Sequence, residues 1–560
     1  MTIEKCLMDF CIELAPIDAS APKFFGFSEF LTSLALMVLA WTTSDARYRF
    51  RIDCAPIPLK GITFGVVVIV GMLTLLTDLW RAQQWPVPTS FPLEQWQAIM
   101  GGMLLLTFLT WAWFAFIKPP KYGALNAKRF TRALYLQILN GSTENLSIIA
   151  DEIPRSAHKI IKYANKEGKS RASRQANCIL ELISDKRLCK SIINNSPTTA
   201  LFVFQEISNA NRYDIPIEKF IQNITIESLN NKNSFLYRDP IPFDSKAVKH
   251  TKPIDETLFS NNKTTETIGG SLSPYVLDID SWDNDQWKAY FKITLITLRN
   301  CDPEEQKQQP MALITSIKNI QQATTGLHKL NSNPDTATED GEYARLKATI
   351  KFIEDSINIL NEKIISTNTK PHIHKRTRDA SLNIYDALSL LMHAVIKNAS
   401  EVTNPRWSNI LECEIMSHPF FFKTPKKITP EGVIQGGFRR LIYGDMMLIK
   451  VFDLDQPAGL ARFLFHLTTT NKLIQNKNGE NSVLFDLILR WFKNNYDYIY
   501  IKNPRVARLC LKEDITYNRD TYTITRNNFN AFRIGKPGFR LNIYPANSSP
   551  TPSFPPPAEH

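Results

Sequence analysis

At 560 residues the chain is longer than one hydrophobic core usually holds, so two to four folded units are expected. Its hydrophobic share of 44% is ordinary, but charge and apolar residues are segregated along the chain. Residues 1–117 hold 7 Lys/Arg and 9 Asp/Glu, a net of −2, which leaves 59 and 45, a net of +14, for the remainder. The eight cysteines (Cys6, Cys11, Cys54, Cys178, Cys189, Cys301, Cys413, Cys510) are scattered with no CxxC pair, which argues against a disulfide framework or a zinc site.

The first residues, 1–23, place Ile3, Cys6, Leu7, Phe10, Cys11 and Leu14 at helical spacing opposite Glu4, Lys5, Asp9 and Glu13. This predicts a short amphipathic helix on the non-cytosolic side, held by apolar burial because its polar face is acidic. A cleaved signal peptide fits badly, since acids stand where a positive region belongs.

Three apolar stretches follow within residues 24–117, at Phe24 to Thr43, Gly61 to Thr77 and Gln97 to Ile117, each near the length that crosses a hydrocarbon layer. The loop from Ser44 to Lys60 carries Arg47, Arg49, Arg51 and Lys60, the next loop only Arg81, and the segment after the third stretch Lys118, Lys121, Lys128, Arg129 and Arg132. Positive residues stay in the cytosol, so the N-terminus is expected outside and the long C-terminal region inside, at a plasma (inner) membrane. Tryptophans at 41, 80, 85, 96, 111 and 113 fall near the expected interfaces. Gly61, Gly65 and Gly71 give small residues that permit close helix approach, either within the chain or between copies in a homo-oligomer. Glu29 is an intramembrane acid or, as its position five residues into the stretch favours, a carboxylate at the headgroup boundary.

Residues 118–224 read as a juxtamembrane helical domain. Ser147-Ile148-Ile149 before Pro154 is echoed by Ser191-Ile192-Ile193 before Pro197, an offset of about 44 residues that falls in the range of helical-repeat arrays. Two short copies do not by themselves establish a repeat. Lys118, Lys121, Lys128, Arg129 and Arg132 emerge beside the membrane, where anionic headgroups are the nearest partner. A second basic group, His158, Lys159, Lys162, Lys166, Lys169, Arg171 and Arg174, has no interleaved aromatics, which disfavours nucleic acid against a solvated or lipid-facing surface.

Residues 225–275 are polar and rich in Asn, Pro and Gly, and are expected as a linker or long loop. Residues 276–400 follow as a helical bundle. Tyr343, Leu346, Ile350, Ile353, Ile357, Leu360 and Ile364 make a coiled-coil-like seam, repeated by Leu313, Ile317, Ile320 and Leu327 and by Ile384, Leu388, Leu391 and Val395. An antiparallel bundle within one chain accounts for all three, with an intermolecular coiled coil as the alternative. Residues 401–545 are expected as an α+β domain, with a hairpin of Arg439 to Tyr443 and Met446 to Phe452 around Gly444, and strands at Tyr496 to Ile501, Tyr522 to Thr525 and Phe539 to Tyr544. Asp455 and Ser482 are placed to cap helices, and the Pro-rich tail 546–560 is expected to be disordered. The fold class is therefore three N-terminal transmembrane α-helices, a mainly α-helical cytosolic region and a C-terminal α+β domain.

No phosphate loop, dinucleotide fingerprint, nucleophile elbow or zinc-protease helix occurs, and no cofactor is implied. Asp453 and Asp455 are weak metal candidates after an expected strand. His372 and His374 with Lys375, Arg376 and Arg378 read as a basic loop, and Asp278, Asp280, Asp283 and Asp285 as acids at a helix start. The leading expectation is a non-enzymatic, oligomeric membrane sensor or effector whose cytosolic helices couple a signal or protein partner to a channel-like or membrane-perturbing region. A membrane-tethered metal enzyme or nucleic-acid-processing protein, and a scaffold recruiting a cytosolic partner, are the alternatives.

Overall fold

The computed structural model describes residues 3–7, 10–15, 23–42, 45–88, 92–165, 167–238, 258–260, 266, 272, 279–301, 310–332, 341–367, 383–422, 429–452, 455–474, 482–526 and 538–546. The chain divides into two compact units, Met1–Phe243 and Asp244–His560. Both are mostly helical.

The segment expected as an amphipathic helix forms a hairpin, β1 (Ile3–Leu7) and β2 (Phe10–Ala15), antiparallel with Cys6 opposite Cys11. A two-residue strand, β3 (Val87–Pro88), adds to β2. Helical spacing over a dozen residues also fits a strand rich in Ile and Phe, and pairing with β3 is information that no local pattern carries.

The apolar region consists of α1 (Phe27–Thr42), α2 (Ala46–Asp53), α3 (Leu59–Ala82) and α4 (Leu93–Ala112), the last ending in a π-helical turn, Trp113–Ile117. Two helices, Leu59–Ala82 and Leu93–Ile117, are long and apolar enough to cross a membrane, with mean hydropathies of 2.2 and 1.8 and only 22% of each apolar window buried. The first stretch forms a shorter helix of 16 residues, about 24 Å at 1.5 Å per residue. It packs against α3, where Phe30, Met37, Val70, Met100 and Leu104 form a shared core. The loop after the first stretch is itself helical, because Asp45 accepts from the Arg47 amide and caps α2.

Seven helices follow: α5 (Ala127–Asn140), α6 (Thr143–Glu152), α7 (Pro154–Tyr163), α8 (Arg171–Leu182), α9 (Lys186–Asn195), α10 (Pro197–Ala210) and α11 (Glu218–Asn230). Starts at residues 127, 143 and 154 recur at 171, 186 and 197, offsets of 44, 43 and 43. Each helix packs on its counterpart, α5 on α8, α6 on α9 and α7 on α10. The echo in sequence thus marks a tandem three-helix repeat, in which Pro154 and Pro197 each open the third helix, where a missing amide hydrogen costs nothing. Ile149, Ile192 and Ile193 fill the space between layers. Part of the expected linker is helical, since α11 runs to Asn230 and α12 spans Phe235–Arg238.

The second unit contains α13 (Asn284–Asn300), α14 (Met311–Ile320) with a 3-10 extension to Asn331, α15 (Glu342–Thr367), α16 (Ile384–Ser400), α17 (Pro405–Met416), α18 (Pro430–Phe452), α19 (Asp455–Ile474), α20 (Val483–Lys502) and α21 (Pro504–Leu509). Asp283 and Gln286 form a reciprocal capping box at the start of α13. The seam on α15 is used inside the unit: Leu346, Ile350, Ile353, Ile357 and Leu360 are buried, and α15 packs on α13, α16 and α18.

The hairpin expected around Gly444 is instead the middle of α18, whose Ile434, Phe438, Ile442, Met446 and Ile449 keep a helical period and are fully buried. Gly444 costs such a helix about 1 kcal/mol, which that burial outweighs. The strand expected at Tyr496 to Ile501 lies in α20, where Trp491, Phe492, Tyr496 and Ile499 pack inward. A run of alternating Tyr and Ile reads equally well as either element over six residues. The C-terminal sheet is small and antiparallel, β4 (Ile515–Asn518), β5 (Thr523–Arg526) and β6 (Phe539–Asn542), in that order.

Among the cysteines with described side chains, Cys178 and Cys413 are exposed and Cys54, Cys189, Cys301 and Cys510 are buried. Burial pushes the Cys510 thiol up to about 12 and the Cys54 thiol well above its ordinary value, so neither offers a thiolate near neutrality. Maleimide is therefore expected to modify Cys178 and Cys413 in the native protein, and the four buried thiols only after denaturation. Peptide mass mapping of the modified sites checks this, and native labelling of Cys54 would break it.

Candidate functional site at the base of the apolar helices

Helix α2 lies between two apolar helices in sequence but packs on the repeat helices α5 and α6. The second helices of the repeat thereby form a row, α2, α6, α9, α11, in which each packs on the next. The loop helix takes the place of a repeat ahead of the first. Solenoids need a terminal unit that covers the last apolar face, and here a piece of the apolar region supplies it.

Arg51 fastens this arrangement. Its Nε donates to Glu152 Oε2 at 3.1 Å and its Nη2 to Glu152 Oε1 at 2.7 Å, a bidentate pair between α2 and the end of α6. Its Nη1 donates to the Ala115 carbonyl at 2.9 Å, inside the π turn that ends α4. The arginine is 7% exposed and the glutamate 5%. One guanidinium thus joins the loop helix, the end of an apolar helix and the repeat, and its charge suits the carbonyl end of α4. Around this pair, Arg47 reaches Asp151 at 3.3 Å, Asp151 accepts from Ser196 of the next repeat, and Arg155 stands 3.6 Å from Glu152.

Apolar packing closes the joint from both sides. Ile52, Ala55, Leu59, Trp111 and Ala115 form one cluster, and the rings of Phe50, Phe130 and Tyr122 meet edge-on below it. Asn126 donates to the Cys54 carbonyl at 2.7 Å, and Arg129 donates to the carbonyls of Ala55 and Pro56. Arg129 therefore belongs to the joint and not to the group of free cations, a change from the sequence expectation. Lys118, Lys121, Lys128 and Arg132 are exposed and make no ion pair among the described residues.

The opposite ends of the apolar helices hold a separate polar group. Lys23 pairs with Asp78 at 2.9 Å, Asp78 accepts from the Phe27 amide, and Gln97 accepts from the Phe24 amide. Glu29 accepts from the Gly26 amide at 2.9 Å and so caps the start of its own helix, which accounts for the acid. Of the three glycines, Gly71 is closed by α1, since a Cβ there would stand 2.8 Å from the Phe30 ring. Gly61 and Gly65 face open space.

The weak metal candidates gain nothing. Asp453 lies outside the described residues, as do His372 and His374, and of Asp455 only its place at the start of α19 is described. Among the described residues no group of three or more His, Cys, Asp and Glu could hold a metal.

A buried polar network in the second unit was not anticipated from sequence, because its members are up to 114 residues apart, from Glu412 to Arg526. His466 Nδ1 meets Glu412 at 2.6 Å, His466 Nε2 meets Arg526 Nη2 at 2.5 Å, Arg526 pairs with Asp514 at 2.6 Å and Lys512 with Glu412 at 2.6 Å. The network ties the sheet to α17 and α19, a fastening role. Burial alone would raise the Asp514 carboxyl, but the contact with His466 and the Arg526 charge outweigh it and hold the group well below its ordinary range. A depressed folded-state value gives stability that is complete above the unfolded value and lost as pH falls through the folded one. The urea midpoint of the second unit is therefore expected to drop between about pH 5 and about pH 2, and Asp514→Asn to flatten that slope.

No protein family, curated protein or solved structure matches this chain.

Proposed function

We propose that this chain is a multi-pass membrane protein that couples events at its cytosolic helical repeat to the packing of its membrane helices. The observation that carries the reading is α2: a loop helix between apolar segments is built into the repeat as its first layer, through the buried Arg51–Glu152 pair. A displacement of the repeat must then move α2, the Ala115 end of α4 and the start of α3 together, because packed elements shift as units.

Three spans support this reading better than two. Lys23 at the start of α1 meets Asp78 near the end of α3, and α2 leads back to the start of α3. The helix α1 thus runs from one polar level to the other beside α3, and its shorter length is met by local thinning of the bilayer or snorkelling of its flanking residues. Large side chains such as Leu36, Phe64, Met72 and Leu106 are more than half exposed along these helices, a surface suited to lipid. Since α2 and the repeat are joined, they share one face, and the arginines of α2 favour the cytosol for that face, with the N-terminus outside. The open sides of Gly61 and Gly65 leave room for a helix of a second copy, which favours a homo-oligomer.

The test is dye release from vesicles carrying the purified full-length protein. Arg51→Met with Glu152→Met keeps the volume of the joint and removes its hydrogen bonds, so the expected result is an oligomer whose release of dye differs from that of the native protein. A strict monomer with no release in either form would overturn the coupling reading.

A further inference from the structure

The first helix of the repeat, α5, has a face that nothing among the described residues of its unit covers. Leu125, in the turn leading into α5, is 87% exposed, and along one side of the helix stand Lys128, Arg132, Tyr135, Leu136 and Leu139. Their spacing of three and four keeps them on a single stripe. Leu139 is 54% exposed, Tyr135 49% and Leu136 44%. Solvent-facing helices of a repeat are normally polar, so leucines, an aromatic phenol and unpaired cations together have the composition of a helix at a membrane interface.

The position of α5 points the same way. Arg129, at the edge of this stripe, holds the carbonyls of Ala55 and Pro56, only a few residues before α3 begins at Leu59. In sequence, the exposed Lys118 and Lys121 lead from the end of α4 toward α5, and Phe116 and Ile117 just before them are 53% and 67% exposed. Lys118, Lys121, Lys128 and Arg132 complement an anionic surface, and the apolar residues among them fit the acyl boundary beneath it.

We infer that the outer face of α5 is a lipid-binding surface: Leu125, Leu136 and Leu139 enter the headgroup–acyl boundary of the cytosolic leaflet while Lys128 and Arg132 hold anionic headgroups. This rests on the membrane reading above. It adds a second, peripheral attachment, through which the lipid composition of the leaflet acts directly on the repeat.

The experiment uses full-length protein with Cys6, Cys11, Cys178 and Cys413 replaced by Ser, reconstituted in phosphatidylcholine vesicles with or without phosphatidylglycerol. Single cysteines from Leu136→Cys, Leu139→Cys, Ile69→Cys on α3 and Phe202→Cys on α10 carry an environment-sensitive fluorophore, and bromines on the lipid report depth. Shallow bromines are expected to quench the two α5 probes, deep bromines the α3 probe, and neither the α10 probe. Lys128→Gln with Arg132→Gln should abolish the gain in α5 quenching that phosphatidylglycerol produces. If the α3 probe is quenched while the α5 probes behave like the α10 probe, the lipid surface on α5 is refuted and the membrane reading stands. An unquenched α3 probe overturns both. Blue-shifted α5 probes in detergent that no bromine quenches would assign the face to a second copy of the chain, again against the proposal.

Discussion

Glu152→Ala is expected to lower the stability of the first unit by about 3–5 kcal/mol, the usual consequence of removing one partner of a buried ion pair. The guanidinium of Arg51 would keep the Ala115 carbonyl as its one hydrogen-bond acceptor among the described residues, beside the Tyr48 ring, and at 7% exposure it could not recover its hydration. Arg155 would lose its neighbouring carboxylate as well, and Arg47 would keep only Asp151. Arg51→Met with Glu152→Met should cost much less than either truncation, since apolar replacement of a whole buried pair is often neutral. Urea unfolding of the detergent-solubilised protein, read by circular dichroism for the native form, both single variants and the pair, measures the coupling. A double change that costs the sum of the two single losses would mean that the pair is not a unit.

The second large effect concerns the apolar helices. Ile69 on α3 and Leu106 on α4 are 56% and 65% exposed, so neither is needed for packing within the chain. Ile69→Arg and Leu106→Arg each place a charge at the centre of a span, at a cost of about 2.5–3.5 kcal/mol on insertion scales. Together they are expected to shift most of the protein out of the alkali-resistant membrane fraction. Leu448→Arg, at a 37% exposed site in the second unit, should leave fractionation unchanged. Retention of the doubly charged variant would show that α3 and α4 do not meet lipid.

The parts of this fold that were legible in the sequence are those written in local periodicity. Long apolar runs marked α3 and α4 and the three-and-four spacing marked α15 and α16, whereas a recurring Ser-Ile-Ile with a later Pro was too short to establish the tandem repeat that the helix starts reveal. Short segments failed where two periods fit equally well: residues 3–15 and Tyr496 to Ile501 each gave the wrong element, and α18 was broken at a glycine that it accommodates. The joint was hidden for a different reason. Arg47 and Arg51 are four apart and so share a helix face, but the sequence gives Arg51 an evident role as a topogenic charge and gives no sign that Glu152, 101 residues on, will bury it. Arg129 shows the limit of reading cations by position, since five basic residues near a membrane look alike until one of them is found holding two backbone carbonyls.

Amide hydrogen exchange of the full-length protein in lipid nanodiscs tests at once whether α2 is the first layer of the repeat and whether the apolar helices lie in lipid. Slow exchange is expected for α3 and α4, with matching protection in α2 and α6 and a joint loss of protection in those two helices when Glu152 is replaced by Ala. Rapid exchange of α2 beside a protected α6, or of α3 and α4 within the nanodisc, would contradict that expectation.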